Sequence, residues 1–212
     1  MAEQEIPGTL HGKVGLIARF KPLHNGGAMM LEKVCSQADA VTIGIGSSNK
    51  YTVRNPFTAE ESAALVRAYL SPRYENYTIV HVPDFGHIPE YRNGQKWRET
   101  VLQLFGSLDY FVTGNPYTRD LLQEDYHLIH PAWLLLPEEQ FRLRATEVRI
   151  KMARGEDWQS LVPHAVCEYL QNNGLVERFC REFGEETLRI ADDEDGRHTA
   201  TADEEHRWVK DS

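Results

Sequence analysis

Cysteine is scarce in this chain: Cys35, Cys167 and Cys180 are odd in number, widely spaced and form no C-x-x-C pair. That pattern excludes a disulfide framework and a structural zinc clip, and it fits a reducing compartment. Long hydrophobic runs are missing too. No apolar stretch approaches the roughly 18–20 residues that span a bilayer. The opening MAEQEIPGTLHGK has neither the basic flank nor the apolar core of a signal peptide, so a cytoplasmic protein without a membrane partner is expected. Positive charge is in deficit, with Lys+Arg 23 against Asp+Glu 32 and a net charge of -9. That sign argues against general nucleic-acid or anionic-membrane binding, although a local cationic pocket is compatible with it.

What is present is a foldable alternation. The chain has 212 residues, 41% of them hydrophobic, which suits one α/β domain with a short extension or two small domains. A strand over Val14 to Phe20 leads to a helix over Gly27 to Gln37, whose Leu31, Val34 and Cys35 recur at helical spacing. A strand at Ala40 to Gly46 follows. Thr58 and Glu61 have capping-box spacing before the apolar positions Ala63, Leu65, Val66 and Tyr69. Further strands are expected at Asn76 to Asp84, at DYFVTGN and within Tyr126 to Leu136. KWRETVLQLFG reads as a helix closed by Gly106, and Asn115-Pro116 as the cap and first turn of another. Helices finish the fold in ATEVRIKMARG, PHAVCEYLQNN and VERFCREF. This order predicts an α/β fold, a Rossmann-like doubly wound parallel sheet with C-terminal helices. The expected organisation is an N-terminal extension at 1–9, a domain at 10–184 and an acidic tail at 185–212. The tail is polar with few apolar anchors and reads as mobile; the competing reading is a helix docked through Trp208 and Val209.

Chemistry is expected at the first strand-to-helix seam, where ARFKPLHNGG gathers Arg19, Phe20, Lys21, His24, Gly26 and Gly27. Ligands of open parallel sheets settle at the carboxyl ends of strands. A helix starting there presents unpaired N–H groups and the positive end of its dipole to an anion. His24 can donate to a phosphate oxygen, more strongly if protonated, with Arg19 and Lys21 adding charge. On local chemistry alone, a glycine turn with a backbone-satisfied histidine is an equal reading. His81, Asp84 and His87 have ligating side chains, but two lie on an irregular loop, so no metal site is expected.

ARFKPLHNGG resembles the R-F-x-P-x-H-x-G-H signature of nucleotidylyltransferases related to class I aminoacyl-tRNA synthetases. GIGSSNKYTVRNPFTAEE, VPDF, VTGN and RATEVRIKMARGEDWQSLVPHAVCEYL resemble, in order, further segments of archaeal-type nicotinamide mononucleotide (NMN) adenylyltransferases. The resemblance runs from about Val14 to Leu170. It implies adenylyl transfer from ATP, with Mg2+ on the phosphates, to nicotinamide or nicotinate mononucleotide. The products are a dinucleotide and pyrophosphate, and no covalent enzyme intermediate forms. By position it places Arg19, Phe20, Lys21, His24, Gly26, Gly27, Gly114, Asn115, Thr146 and Arg149 at ATP. Gly46, Ser47, Asp84 and Trp97 fall at the mononucleotide, with Trp97 stacking on the pyridine. A homo-oligomer is also implied.

Three positions depart from the pattern. The second histidine of H-x-G-H is Gly27, the serine opening S-x-T-E-I-R is Arg144, and the arginine after N-P-F-T-x-x-E is Ser62. All three are expected at phosphate-handling places, and Arg144 is expected to offset the missing histidine with charge. The alternatives are transfer of an adenylyl or cytidylyl group to another phosphorylated acceptor, or a catalytically impaired nucleotide-binding regulatory protein.

Overall fold

The computed structural model describes residues 10–135 and 143–195. Five parallel strands form one sheet: β1 (Lys13–Ala18), β2 (Ala40–Gly46), β3 (Tyr77–Val82), β4 (Tyr110–Val112) and β5 (Leu128–Ile129). Their order is β3-β2-β1-β4-β5. The chain winds outward from β1 in one direction and then returns to build the other half. β1 is therefore central, paired with β2 from Lys13↔Ala40 to Ala18↔Ile45 and with β4 from Val14↔Tyr110 to Leu16↔Val112. The strand order reverses beside β1, which opens a crevice at its carboxyl end.

Helices cover both faces. α1 (Asn25–Cys35), α2 (Ala59–Leu70), α5 (Ala145–Arg154) and α6 (His164–Asn172) bury Leu31, Val34, Leu65, Val66, Val148 and Val166 with Val14, Leu16, Ile43 and Ile45 of the strands. On the other face α3 (Gln95–Phe105) and α4 (Pro116–Leu122) bring Val101, Phe105 and Leu122 to Val82, Phe111 and Tyr126. The period-2 alternation of the strands sorts side chains between the two cores. Gly15 and Gly44 let α3 lie close: a Cβ at Gly15 would stand 2.9 Å from Phe105 Cδ1, and one at Gly44 2.9 Å from Phe105 Cζ. Any larger residue there would push Phe105 off the sheet.

The expected elements are present with shifted ends. α2 begins at the anticipated capping box, with Glu61 N–H donating to Thr58 Oγ1 (3.2 Å) and Thr58 N–H to Glu61 Oε2 (2.9 Å). α1 begins at Asn25, two residues early, because the His24 side chain caps it. The last stretch differs more. α7 (Leu175–Phe179) runs through a π segment, Cys180–Gly184, into α8 (Glu185–Asp195). Residue 185 is thus a helix start where a mobile tail was expected, and Thr187 of α8 is buried. The extension 1–9, Leu136, and residues 196–212 with Trp208 and Val209, lie outside the described residues.

Candidate functional site

Beyond Ala18 the chain leaves the sheet through Arg19 and Phe20. Phe20 holds a left-handed backbone (φ 51) with its ring buried. That conformation costs roughly 1 kcal/mol or more for a bulky residue and persists only where surrounding packing imposes it. His24 then ends the seam. Its Nδ1 accepts from Gly27 N–H at 3.2 Å, and burial lowers its pKa to about 4. In the free protein the imidazole is therefore neutral at pH 7, with its proton on Nε2 available to donate. Gly26 and Gly27 lie inside the first helical turn, and the Gly27 N–H is already taken by His24. Asn25 ties this turn to the C-terminal region through Nδ2 to the Ser160 carbonyl (2.9 Å).

Against this seam stands the first turn of α5. The guanidinium of Arg149 is buried and donates from Nη1 to the Lys21 carbonyl (2.8 Å) and from Nη2 to Thr146 Oγ1 (3.2 Å). Its Nε has no hydrogen-bond partner. Burial, then repulsion from Arg19 and Arg54, lowers its pKa to about 10. Arg19, Arg54 and Arg149 thus converge with no carboxylate paired to them among the described residues, an arrangement that an anion relieves. Arg54 went unrecognised in the sequence, although a cation standing directly before N-P-F-T was the available signal.

Beside the cations opens a cavity of about 580 Å³ at the carboxyl ends of the strands. Gly46, Ser47, Asp84 and Trp97, the four residues assigned to the mononucleotide, all line it, together with Arg19 and Asn115. Of its aromatic walls only Trp97 was anticipated: Phe85 packs edge-on to Tyr91 (6.0 Å between centroids), and Trp97 leans on Tyr117 (6.2 Å). Arg92 completes the rim. Trp97 also packs against the second core, so it serves packing and cavity together. Asp84 is fixed by its own loop, Oδ1 accepting from Gly86 N–H (2.8 Å) and Oδ2 from the Ser47 hydroxyl (3.4 Å). Asn115 caps α4 through Oδ1 to Thr118 N–H (3.3 Å). Gly114 stands back from the cavity wall, where a Cβ would lie 3.3 Å from His130 Nε2.

Two expectations, at Lys21 and Ser62, need correction. Lys21 does not offer its ammonium to an open phosphate site; it is 1% exposed and donates to the Ser47 carbonyl (3.2 Å) and Asn55 Oδ1 (3.4 Å). Ser62 is wholly buried in α2, with its hydroxyl on the Thr58 carbonyl (2.9 Å), and takes no part in phosphate handling. His81 pairs with Glu60 (3.5 Å) and His87 with Lys50 (2.6 Å), while the Asp84 carboxylate is held by Gly86 and Ser47. Arg144 is exposed at the N-cap of α5, and its backbone N–H is held by Glu147 Oε1 (3.2 Å). Gly27 sits close against its neighbours: a Cβ there would meet Leu23 Cδ1 at 3.3 Å, tighter than an ordinary contact, and His24 Cε1 at 3.8 Å.

Among the described residues no group of three His, Cys, Asp or Glu side chains could hold a metal ion. The side chains that converge on the strand exit, Arg19, Arg54 and Arg149, are cations and offer a metal ion no ligand. None of the described helices is long and apolar enough to cross a membrane.

A parallel sheet with arginines gathered at the exit of its central strand defines a Rossmann-like α/β protein with an anion-attracting crevice. The cytidylyltransferase-like family model matches residues 16–131, and the chain belongs to that family. It is similar to the nicotinamide-nucleotide adenylyltransferases of Thermococcus kodakarensis, at 34% identity over 76% of this chain and 84% of the relative, and of Thermoplasma acidophilum, at 32% over 77% and 87%. A bifunctional NMN adenylyltransferase/ADP ribose pyrophosphatase from Francisella tularensis, solved with AMP and a manganese ion, shares the fold. Its TM-score is 0.62 at 17% identity, over 85% of this chain and about half (52%) of that one.

Proposed function

We propose that this protein transfers the adenylyl group of Mg-ATP to nicotinamide or nicotinate mononucleotide, forming a dinucleotide and pyrophosphate. One observation carries the reading: Arg149 docks on the Lys21 carbonyl at 2.8 Å, which joins the α5 turn to the strand exit beside an aromatic cavity. A polyphosphate fits the cations, and a flat ring fits the cavity, whose volume lies in the range of about 300–1,000 Å³ usual for small-molecule sites. The relatives' names supply the acceptor class.

The mononucleotide phosphate oxygen attacks the α-phosphorus of ATP. The bond from that phosphorus to the bridging oxygen breaks, and pyrophosphate leaves with the electron pair. No side chain becomes a nucleophile, so the work is alignment and charge stabilisation. His24 donates from Nε2 to a phosphoryl oxygen. Arg149, with Thr146 fixing its fork, takes the departing pyrophosphate, aided by Arg54 and Arg19; Arg144 adds charge on the same turn. Trp97 and Tyr117 take the pyridine, while Ser47 and Asp84 border its ribose side. Magnesium enters with ATP and neutralises its phosphates. A soluble homo-oligomer in the cytoplasm is part of the reading, with 10–184 as the catalytic domain extended by α8.

The absence of a second donor at Gly27 favours a slowed enzyme, since one such donor is worth about 10²–10³ in rate. Incubation with Mg-ATP and a panel of phosphorylated acceptors, following pyrophosphate release, tests the proposal. Release with NMN or its acid form is expected. Release only with another acceptor, or tight ATP binding with no release, overturns it in favour of a different transferase or a nucleotide sensor.

A further inference from the structure

Lys21 is the most deeply buried charged side chain of the seam, 1% exposed, and among the described residues no carboxylate stands within hydrogen-bond reach of it. The acid that attracts it, Glu61, is already held by Arg178 Nη2 (2.7 Å), while Arg19 repels it. A buried ammonium with two neutral acceptors is costly, and its pKa falls to about 8.

Those contacts join two half-sites. The Lys21 carbonyl carries Arg149, at the phosphate end. Its ammonium reaches the Ser47 carbonyl, at the cavity end, and Asn55, which closes the same loop by exchanging backbone bonds with Thr52 (2.7 and 3.2 Å). Ser47 is itself strained: its backbone is left-handed (φ 49), and its hydroxyl reaches Asp84. A non-glycine residue keeps that conformation only when its surroundings hold it.

We infer that Lys21 is a positioning residue whose buried ammonium pins Ser47 in the conformation that shapes the mononucleotide pocket. It binds no phosphate. The role rests on the adenylyl-transfer reading, and it sets the pyridine end at a fixed distance from the phosphate end through a single residue.

The test is kinetic. Lys21→Met removes both hydrogen bonds and the charge while keeping the bulk. It raises the mononucleotide KM at least tenfold while the ATP Kd, measured by calorimetry, changes less than threefold. Adding Ser47→Gly, which adopts the left-handed backbone freely, recovers a substantial part of the lost KM; a general packing defect would not respond. Should Lys21→Met fail to fold, Lys21→Gln, which keeps one amide donor, is read by the same split. A weakened ATP Kd with an unchanged mononucleotide KM, or no recovery by Ser47→Gly, overturns the inference. Wild-type protein that binds no pyridine mononucleotide overturns the functional reading and this role with it, whereas a normal wild type beside an unaffected variant overturns the role alone.

Discussion

The phosphate seam and the aromatic cavity share one edge of the sheet but are built from opposite materials. The seam is charged, dense and partly buried: Arg149 and Lys21 sit inside the protein with lowered pKa values, and His24 is locked as a neutral cap. The cavity is open and ringed by exposed aromatics, Tyr91 at 38% and Tyr117 at 52% exposure. The seam spends stability to hold charge ready for an anion. The cavity has little to pre-pay, because a flat ring brings its own burial energy. Substitutions should therefore divide, with changes at Arg149 and His24 striking turnover, and changes in the cavity, or at the Lys21 that supports Ser47 beneath it, striking acceptor binding.

The largest effect is expected at Arg149. Arg149→Ala should lower kcat/KM for ATP by about 10³, the scale of a lost fork aimed at developing charge. Its melting temperature should hold or rise, because the wild-type guanidinium is buried with an unpartnered Nε. A large drop in melting temperature would mean that Arg149 is a structural pillar and break the contrast.

His24→Ala should cost about 10²–10³ in kcat. The wild-type pH–rate profile should show no limb near 6.5, because the folded pKa of about 4 keeps the imidazole neutral. The sign for stability follows: the unfolded chain binds more protons between about 4 and 6.5, so stability is lost as pH falls through that window. A urea series across those values checks it.

Gly27→His should raise kcat by roughly tenfold, since it returns a donor at the seam. Leu23 must shift a few tenths of an ångström to admit the Cβ at 3.3 Å. A fall in rate would show that the glycine makes room for this protein's own substrate, which would sharpen the comparison in the opposite sense.

The mildest change belongs to the cavity. Trp97→Ala should raise the mononucleotide KM by about tenfold, in line with ~1–3 kcal/mol for stacking a base on an aromatic ring. The ATP KM should stay within a factor of about two, as judged by initial rates at saturating co-substrate.

The same division governed what the sequence disclosed. Local rules were legible: the Thr58–Glu61 box and the Asn115 cap lie where spacing put them, because each is closed within three residues. The central β1 and the approach of α5 to it followed from ordered motifs. Burial was not legible. Lys21 looks like any phosphate lysine until Ser47 and Asn55 enclose it, and Ser62 looks like a lost ligand until α2 turns it inward. The aromatic walls arise where the loop carrying Phe85 and Tyr91 meets α4, a tertiary event without a local pattern. α8 reads as solvated chain because its helix depends on packing against α5, which an acid-rich composition conceals.

Titration of inorganic pyrophosphate into wild type, Arg149→Ala and Trp97→Ala by calorimetry tests the division most directly. Binding by wild type and Trp97→Ala alike, with at least thirtyfold weakening in Arg149→Ala, is the predicted result. Equal affinity in all three proteins, or loss only in Trp97→Ala, would contradict a phosphate site formed by the β1 exit and the α5 turn.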